Sequence, residues 1–174
     1  MSYRCSTCGQ QHEGLPDIGM DKPDYYSSVP DDEIDKRTEL TSDTCIIDNE
    51  HFFIRGVIEI PILDYREAFG FGVWVTQKRE NFYNYLDNYD SDKIGPFFGW
   101  LATRITYYEE ETLTLKTMAH FRGGGRRPSI EVEPTEHQLA IDQRNGIALE
   151  KAWEMVHFYL DAENRSAINH EREP

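Results

Sequence analysis

The stretch from Thr44 to Thr76 constrains the fold most, because it contains two successive runs of period-two alternation. In His51–Pro61 (HFFIRGVIEIP), Phe52, Ile54, Ile58 and Ile60 fall on one face, and His51, Phe53, Arg55, Val57 and Glu59 on the other. In FGFGVWVT, Phe69, Phe71, Val73 and Val75 alternate with Gly70, Gly72, Trp74 and Thr76. One greasy face per strand predicts an antiparallel sheet covered on one side. Asp48-Asn49-Glu50 between TCII and HFFIRG suits a hairpin turn. Gly70 and Gly72 on one face predict that another chain segment approaches closely there, or a bulge.

Helical signals follow. Thr76 can cap a helix whose stripe is Phe82, Tyr85, Leu86 and Tyr89, at i, i+3, i+4 and i+7. PFFGWLATRI reads as a strand or a buried loop. TLTLKTMAHF alternates again, and Gly123-Gly124-Gly125 turns it into SIEVEP as a second hairpin. Thr135 with Gln138 fits a capping box, and Asn145-Gly146 ends that short helix. Leu149, Ala152, Trp153, Val156 and Leu160 then form the stripe of a longer helix. The expected class is α+β: an antiparallel sheet of about five or six strands with helices packed on one face. The 174 residues suit one domain. Within it, residues 1–14 form a metal knuckle and 15–43, broken by Pro16, Pro23 and Pro30, a surface wrap. Residues 44–163 form the α+β core, and 164–174 a frayed tail.

Charge narrows the partners. The net charge of −14 repels a phosphate backbone, so broad nucleic-acid binding is not expected. An anionic membrane surface is disfavoured for the same reason. No apolar run reaches the ~20 residues that span a bilayer, and the N-terminus lacks the apolar core of a signal peptide. A cytoplasmic protein is expected, one whose acidic surface suits a basic protein partner.

The main chemical constellation is Cys5-x2-Cys8-Gly9-x2-His12. Two cysteines at this spacing can turn both sulfurs toward one ion, and Gly9 relieves the tight backbone after the second. Thiolate and imidazole donors favour zinc. Cys45 is the expected fourth ligand, with His51 the runner-up. Such a site, structural rather than catalytic, would tie the N-terminal segment to the sheet. The competing reading makes Cys45 a buried small hydrophobe and leaves the CxxC pair as free thiols.

Two further groups attract notice. Glu59, Trp74 and His120 could meet on the second face of the sheet and line a small-molecule pocket. The plainer alternative there is a second packing layer under the wrap. Arg126 and Arg127, beside Arg122 in a glycine-rich turn, could hold a phosphate or carboxylate. Against that stands a flexible turn with solvated arginines. His137, near a helix start, is expected to fill a local hydrogen bond.

The order of motifs CSTCGQQHEGLP, RTELTSDTCIID, FFIRGVIEIP, FGFGVWVT, PFFGWLAT and RRPSIEVEPTEHQLAIDQRNGI resembles the bacterial domain-of-unknown-function family 2199. The resemblance implies a stand-alone bacterial cytoplasmic domain and groups Cys5, Cys8, His12 and Cys45. It transfers no activity. The function expected from the sequence is a zinc-stabilised binding or interaction module without catalysis. The alternatives are a metal-dependent hydrolase and a small-molecule sensor.

Overall fold

The computed structural model describes residues 2–4, 9 and 11–170, the side chains of 2–4, 12, 13 and 161–170 excepted. Alternation becomes structure first in β6 (His51–Pro61) and β7 (Ala68–Gln77). They pair antiparallel over ten positions, from Phe52↔Gln77 to Pro61↔Ala68. β5 (Thr44–Ile47) precedes β6 across the expected turn, where Asp48 and Asn49 adopt φ of 54° and 53°. Such left-handed residues match the twist of a hairpin, and Asn and Asp tolerate them better than most. β4 (Thr38–Leu40) extends the pairing from β5 outward.

The close approach expected at the glycines is present. β3 (Ile18–Gly19) runs parallel to β7, with Gly19 opposite Gly72. Gly70 lies against the Asp17 side chain, whose Oδ1 accepts from the Gly70 amide at 2.9 Å. The second hairpin also forms: β9 (Lys116–His120) pairs antiparallel with β10 (Ser129–Val132) across the three glycines. β8 (Phe97–Trp100) lies on the far side of β9.

The sheet is mixed, which corrects the antiparallel expectation. β10 runs parallel to β6, just as β3 does to β7. Alternation reports which face a residue takes, not the direction of its neighbour, so this pairing was invisible in the pattern. The ladder also returns on itself. Leu101, one residue beyond β8, bridges Val75, and the Ala102 amide donates to Trp74 O at 2.8 Å. The path β7-β6-β10-β9-β8 thus closes back onto β7, a barrel-like arrangement in which β3 shares with Leu101 and Ala102 the edge of β7 that β6 leaves open.

Both sheet faces are buried, where one was expected. Phe52, Ile54, Ile58, Phe69, Phe71, Val73 and Val75 join the main core. That core is completed by Phe82 and Tyr85 from α2 (Arg79–Asp87), Leu139 and Ala140 from α3 (Gln138–Asn145), and Ala152, Trp153, Met155 and Val156 from α4 (Leu149–His170). The opposite face carries a second cluster of Val29, Cys45, Ile47, Phe53, Trp74 and Ala102. Residues of the N-terminal wrap cover it: Met20, Tyr26 of the 3-10 turn Asp24–Ser28, and Ile34 of α1 (Ile34–Arg37). Trp74 packs within this second cluster.

Two caps differ from expectation. α2 starts after Lys78 without a side-chain cap, and the Thr76 hydroxyl accepts from the Trp100 amide instead. α3 is capped by His137, whose Nδ1 accepts from the Leu139 amide at 3.0 Å, while Thr135 receives the His137 amide. Imidazole does here what a serine or aspartate does at most helix starts. Gly146 ends α3 at φ 79°, as expected, and α4 continues as helix to His170 through the segment expected to fray.

β8 can approach β7 only because residue 99 has no side chain: a Cβ there would collide with the Thr76 carbonyl oxygen. Backbone on both sides leaves little room to yield. Gly99→Ala is expected to cost on the order of 3 kcal/mol in urea unfolding. Gly124→Ala, at a turn position with open space around it but φ of 61°, should cost only about 1 kcal/mol.

Candidate functional site

A cleft lies between the loop after β8 and the two C-terminal helices. It measures about 480 Å³ and is lined by Tyr107, Tyr108, Glu109, Glu110, Glu136, Gln138 and Lys151. Threonines pin the base of the loop. Thr112 Oγ1 donates to Thr103 O at 3.1 Å and accepts from the Ile105 amide at 2.8 Å. Thr103 Oγ1 in turn accepts from the Trp74 amide, which fastens the loop to β7. The aromatic and acidic tip is therefore carried by the sheet.

Asp142 sits beneath this cleft at 4% exposure. Tyr108 Oη donates to Asp142 Oδ2 at 2.9 Å, Gln138 Nε2 to Oδ1 at 2.7 Å, and Lys151 Nζ reaches both oxygens at 2.9 and 2.7 Å. A buried carboxylate needs this many donors to remain charged at low cost. Burial, the Asp142 charge and the bond to it drive the Tyr108 phenol far above its ordinary pKa, so it stays a donor at every physiological pH. With Lys151 neutralised by Asp142, the charge left at the mouth is that of Glu109, Glu110 and Glu136. Glu109 and Glu136 have no ion pair among the described residues, and Glu110 lies 3.9 Å from His137 Nε2.

Sequence reasoning passed over this cluster. Tyr108, Asp142 and Lys151 belong to three elements and meet only through tertiary packing. The one local signal was an aspartate at i+3 from Leu139, on the buried side of α3.

The residues singled out from sequence lie elsewhere. Trp74 is wholly buried under the wrap, its Nε1 donating to Met20 O at 2.9 Å. Glu59 accepts from Arg122 Nη1 at 2.8 Å and Ser129 Oγ at 3.0 Å. His120, opposite Ser129 in the β9–β10 register, pairs with Glu131 at 2.7 Å. Glu59 and His120 thus flank Ser129, while Trp74 belongs to the separate second cluster. Arg126 folds onto its own turn, Nη2 donating to Arg122 O at 2.6 Å. Arg127 Nε donates to Asp43 Oδ1, also at 2.6 Å. Burial pushes the Asp43 carboxyl upward, but hydrogen bonds from Ser42 and Arg127 outweigh it and hold it below the ordinary range.

Cys5 and Cys8 lie outside the described residues, as does the His12 side chain. What is described is their frame: β1 (Ser2–Arg4) pairs antiparallel with β2 (Gln11–Glu13), His12 opposite Tyr3, and Gly9 adopts φ 69°. Cys45 is fully enclosed by the second cluster, and burial raises its thiol to about 11. Among the described residues no group of three or more His, Cys, Asp or Glu is placed to hold a metal ion. No described helix is long and apolar enough to cross a membrane.

Residues 4–147 match the family model for uncharacterised proteins conserved in bacteria, DUF2199, and the chain belongs to that family. No curated protein and no solved structure matches it.

Two outcomes test this geometry. Asp142→Ala leaves Lys151 and Tyr108 without their acceptor and should cost about 3 kcal/mol or more in thermal or urea unfolding. Lys151→Met should cost less, because Tyr108 and Gln138 still hold the carboxylate. For Cys45, a thiol raised to about 11 keeps its proton below the unfolded value near 8.5, and its contribution to stability is lost as pH rises through about 11. Alkylation of Cys45 in the native protein at pH 8, mapped by peptide mass spectrometry, should be roughly 100-fold slower than in urea.

Proposed function

We propose that the protein is a non-catalytic binding module whose acid-rimmed cleft receives a basic group of a protein partner. The observation that carries this reading is the composition of the cleft: two tyrosine rings beside three carboxylates without paired arginine or lysine. Aromatic faces and carboxylates together suit an ammonium or guanidinium group. The net charge of −14 would steer such a partner toward the surface. Asp142 and Lys151 already satisfy each other, which favours an anchoring role for the pair over acid–base chemistry.

A fluorescent tetralysine peptide, followed by anisotropy, tests the cleft. Binding at low salt should have a Kd on the order of 100 μM. Glu109→Gln/Glu110→Gln/Glu136→Gln should weaken it roughly 10-fold, the same charge change at Asp31, Asp32 and Glu39 far less. Equal loss in both triple variants would reduce the effect to overall charge.

The β1–β2 hairpin favours a second, compatible element: a zinc ion held by Cys5, Cys8 and His12. Cys-x2-Cys-Gly falls between two paired strands, and Gly9 has the left-handed backbone that a metal knuckle requires. Cys45, the fourth ligand expected from sequence, sits in surroundings that suit a packing role. Elemental analysis should find about one zinc per chain, lost in Cys8→Ser and kept in Cys45→Ser, which should instead lower the melting temperature. No metal in the unaltered protein would reject the knuckle.

A further inference from the structure

One edge of β6 changes partner partway along its length. Its first residues pair antiparallel with β5, and at Val57 it pairs parallel with β10. The handover is narrow: the Arg55 amide donates to Asp43 O at 2.8 Å, and the Val57 amide to Pro128 O at 2.9 Å. Gly56 lies between them, where a Cβ would press on Ile130 and Pro128 O. At this seam between β5 and β10, Arg55 and Arg127 both reach the Ser42 carbonyl oxygen.

The rim here carries an unusual cation. The Arg55 side chain is 11% exposed, its guanidinium lying 5.9 Å from the Trp74 ring and against Gly19 and Gly72. Its Nε is buried without a hydrogen-bond partner. Its remaining contacts are long: Nη1 to Ser42 O at 3.4 Å and Nη2 to Asp21 Oδ1 at 3.6 Å. Arg127 Nη2 reaches the same Ser42 oxygen at 3.5 Å, so two guanidinium groups converge on one point. Burial, and next the like charge of Arg127, lower the Arg55 pKa, while Asp21 and Asp43 oppose that shift. A guanidinium has five N–H donors in a fixed fork, and a nearly buried one left with a single long hydrogen bond is costly. Asp21 itself is 98% exposed, a side chain free to swing away.

We propose that this seam binds the carboxylate of a small acidic ligand between Arg55 and Arg127, and that Asp21 stands in its place when the ligand is absent. The carboxylate would accept from Arg55 Nη2, where Asp21 now makes only a long contact, and from Arg127 on the other side. A carboxylate fits better than a phosphate dianion, because Asp43 already occupies one side of Arg127 and repels the second charge. This site is separate from the acid-rimmed cleft and stands whether or not that cleft binds a basic partner.

The test is an NMR titration of the folded protein with acetate at constant ionic strength, read at the arginine Nε–Hε signals. The Arg55 signal should shift and saturate with a Kd on the order of a few millimolar, the range open to a ligand of four heavy atoms. Asp21→Asn removes the competing carboxylate and should tighten binding about threefold or more. Arg127→Gln, with its amide spectrum still that of the folded chain, should abolish saturation. Inorganic phosphate at equal ionic strength should bind more weakly. A shift linear to ~100 mM acetate, far above the few-millimolar range expected, would overturn the proposal. So would tighter binding of phosphate than acetate, or an Asp21→Asn variant that binds acetate no better than the parent.

Discussion

The antiparallel ladder between β6 and β7 is the interaction on which the rest of the structure depends. It is the longest pairing in the described chain, and it feeds two cores at once. Its even-numbered β6 residues, Phe52, Ile54, Ile58 and Ile60, and the odd-numbered β7 residues Phe69 to Val75 face the helices. Phe53 and Trp74 face the wrap. A single-residue slip would exchange these faces, placing Arg55 and Glu59 in the main core. Register is thus fixed by two apolar clusters with opposite demands, rather than by one core and a solvent face.

Much of this frame was legible in the residues. The turn at Asp48-Asn49, the close approach at Gly70 and Gly72, the hairpin at Gly123–Gly125 and the end of α3 at Gly146 each rest on a local backbone demand that one residue type meets best. What was not legible depends on partners distant in sequence. The parallel pairing of β10 with β6 leaves no trace in alternation. Closure through Leu101 requires knowing that Gly99 will meet Thr76. His137 as a helix cap could be foreseen only as a local hydrogen bond, because imidazole is an uncommon cap. The Tyr108–Asp142–Lys151 cluster was hidden for a different reason: buried charge is disfavoured on average, so an acid on a helix reads as solvated until its donors are known.

The same logic separates the two proposed surfaces. At the cleft, cation and anion beneath the floor cancel, and unpaired carboxylates remain above. At the seam, anion and cation are closely matched at Arg127, while Arg55 is left with weak contacts. Both surfaces are held by the ladder: the cleft loop is tied to β7 through Thr103 and Trp74, and the seam is created by the change of partner along β6. The wrap contributes by enclosing Trp74 and by delivering Asp21 to the seam.

Native-state hydrogen exchange at the Ala102 amide tests this frame most directly, since that amide closes the ladder onto Trp74. A closed ladder predicts protection of Ala102 comparable to the central β6–β7 amides, with exchange governed by global unfolding. Exchange of Ala102 at the rate of an open loop, while β6 and β7 stay protected, would contradict closure and leave both surfaces without their common support.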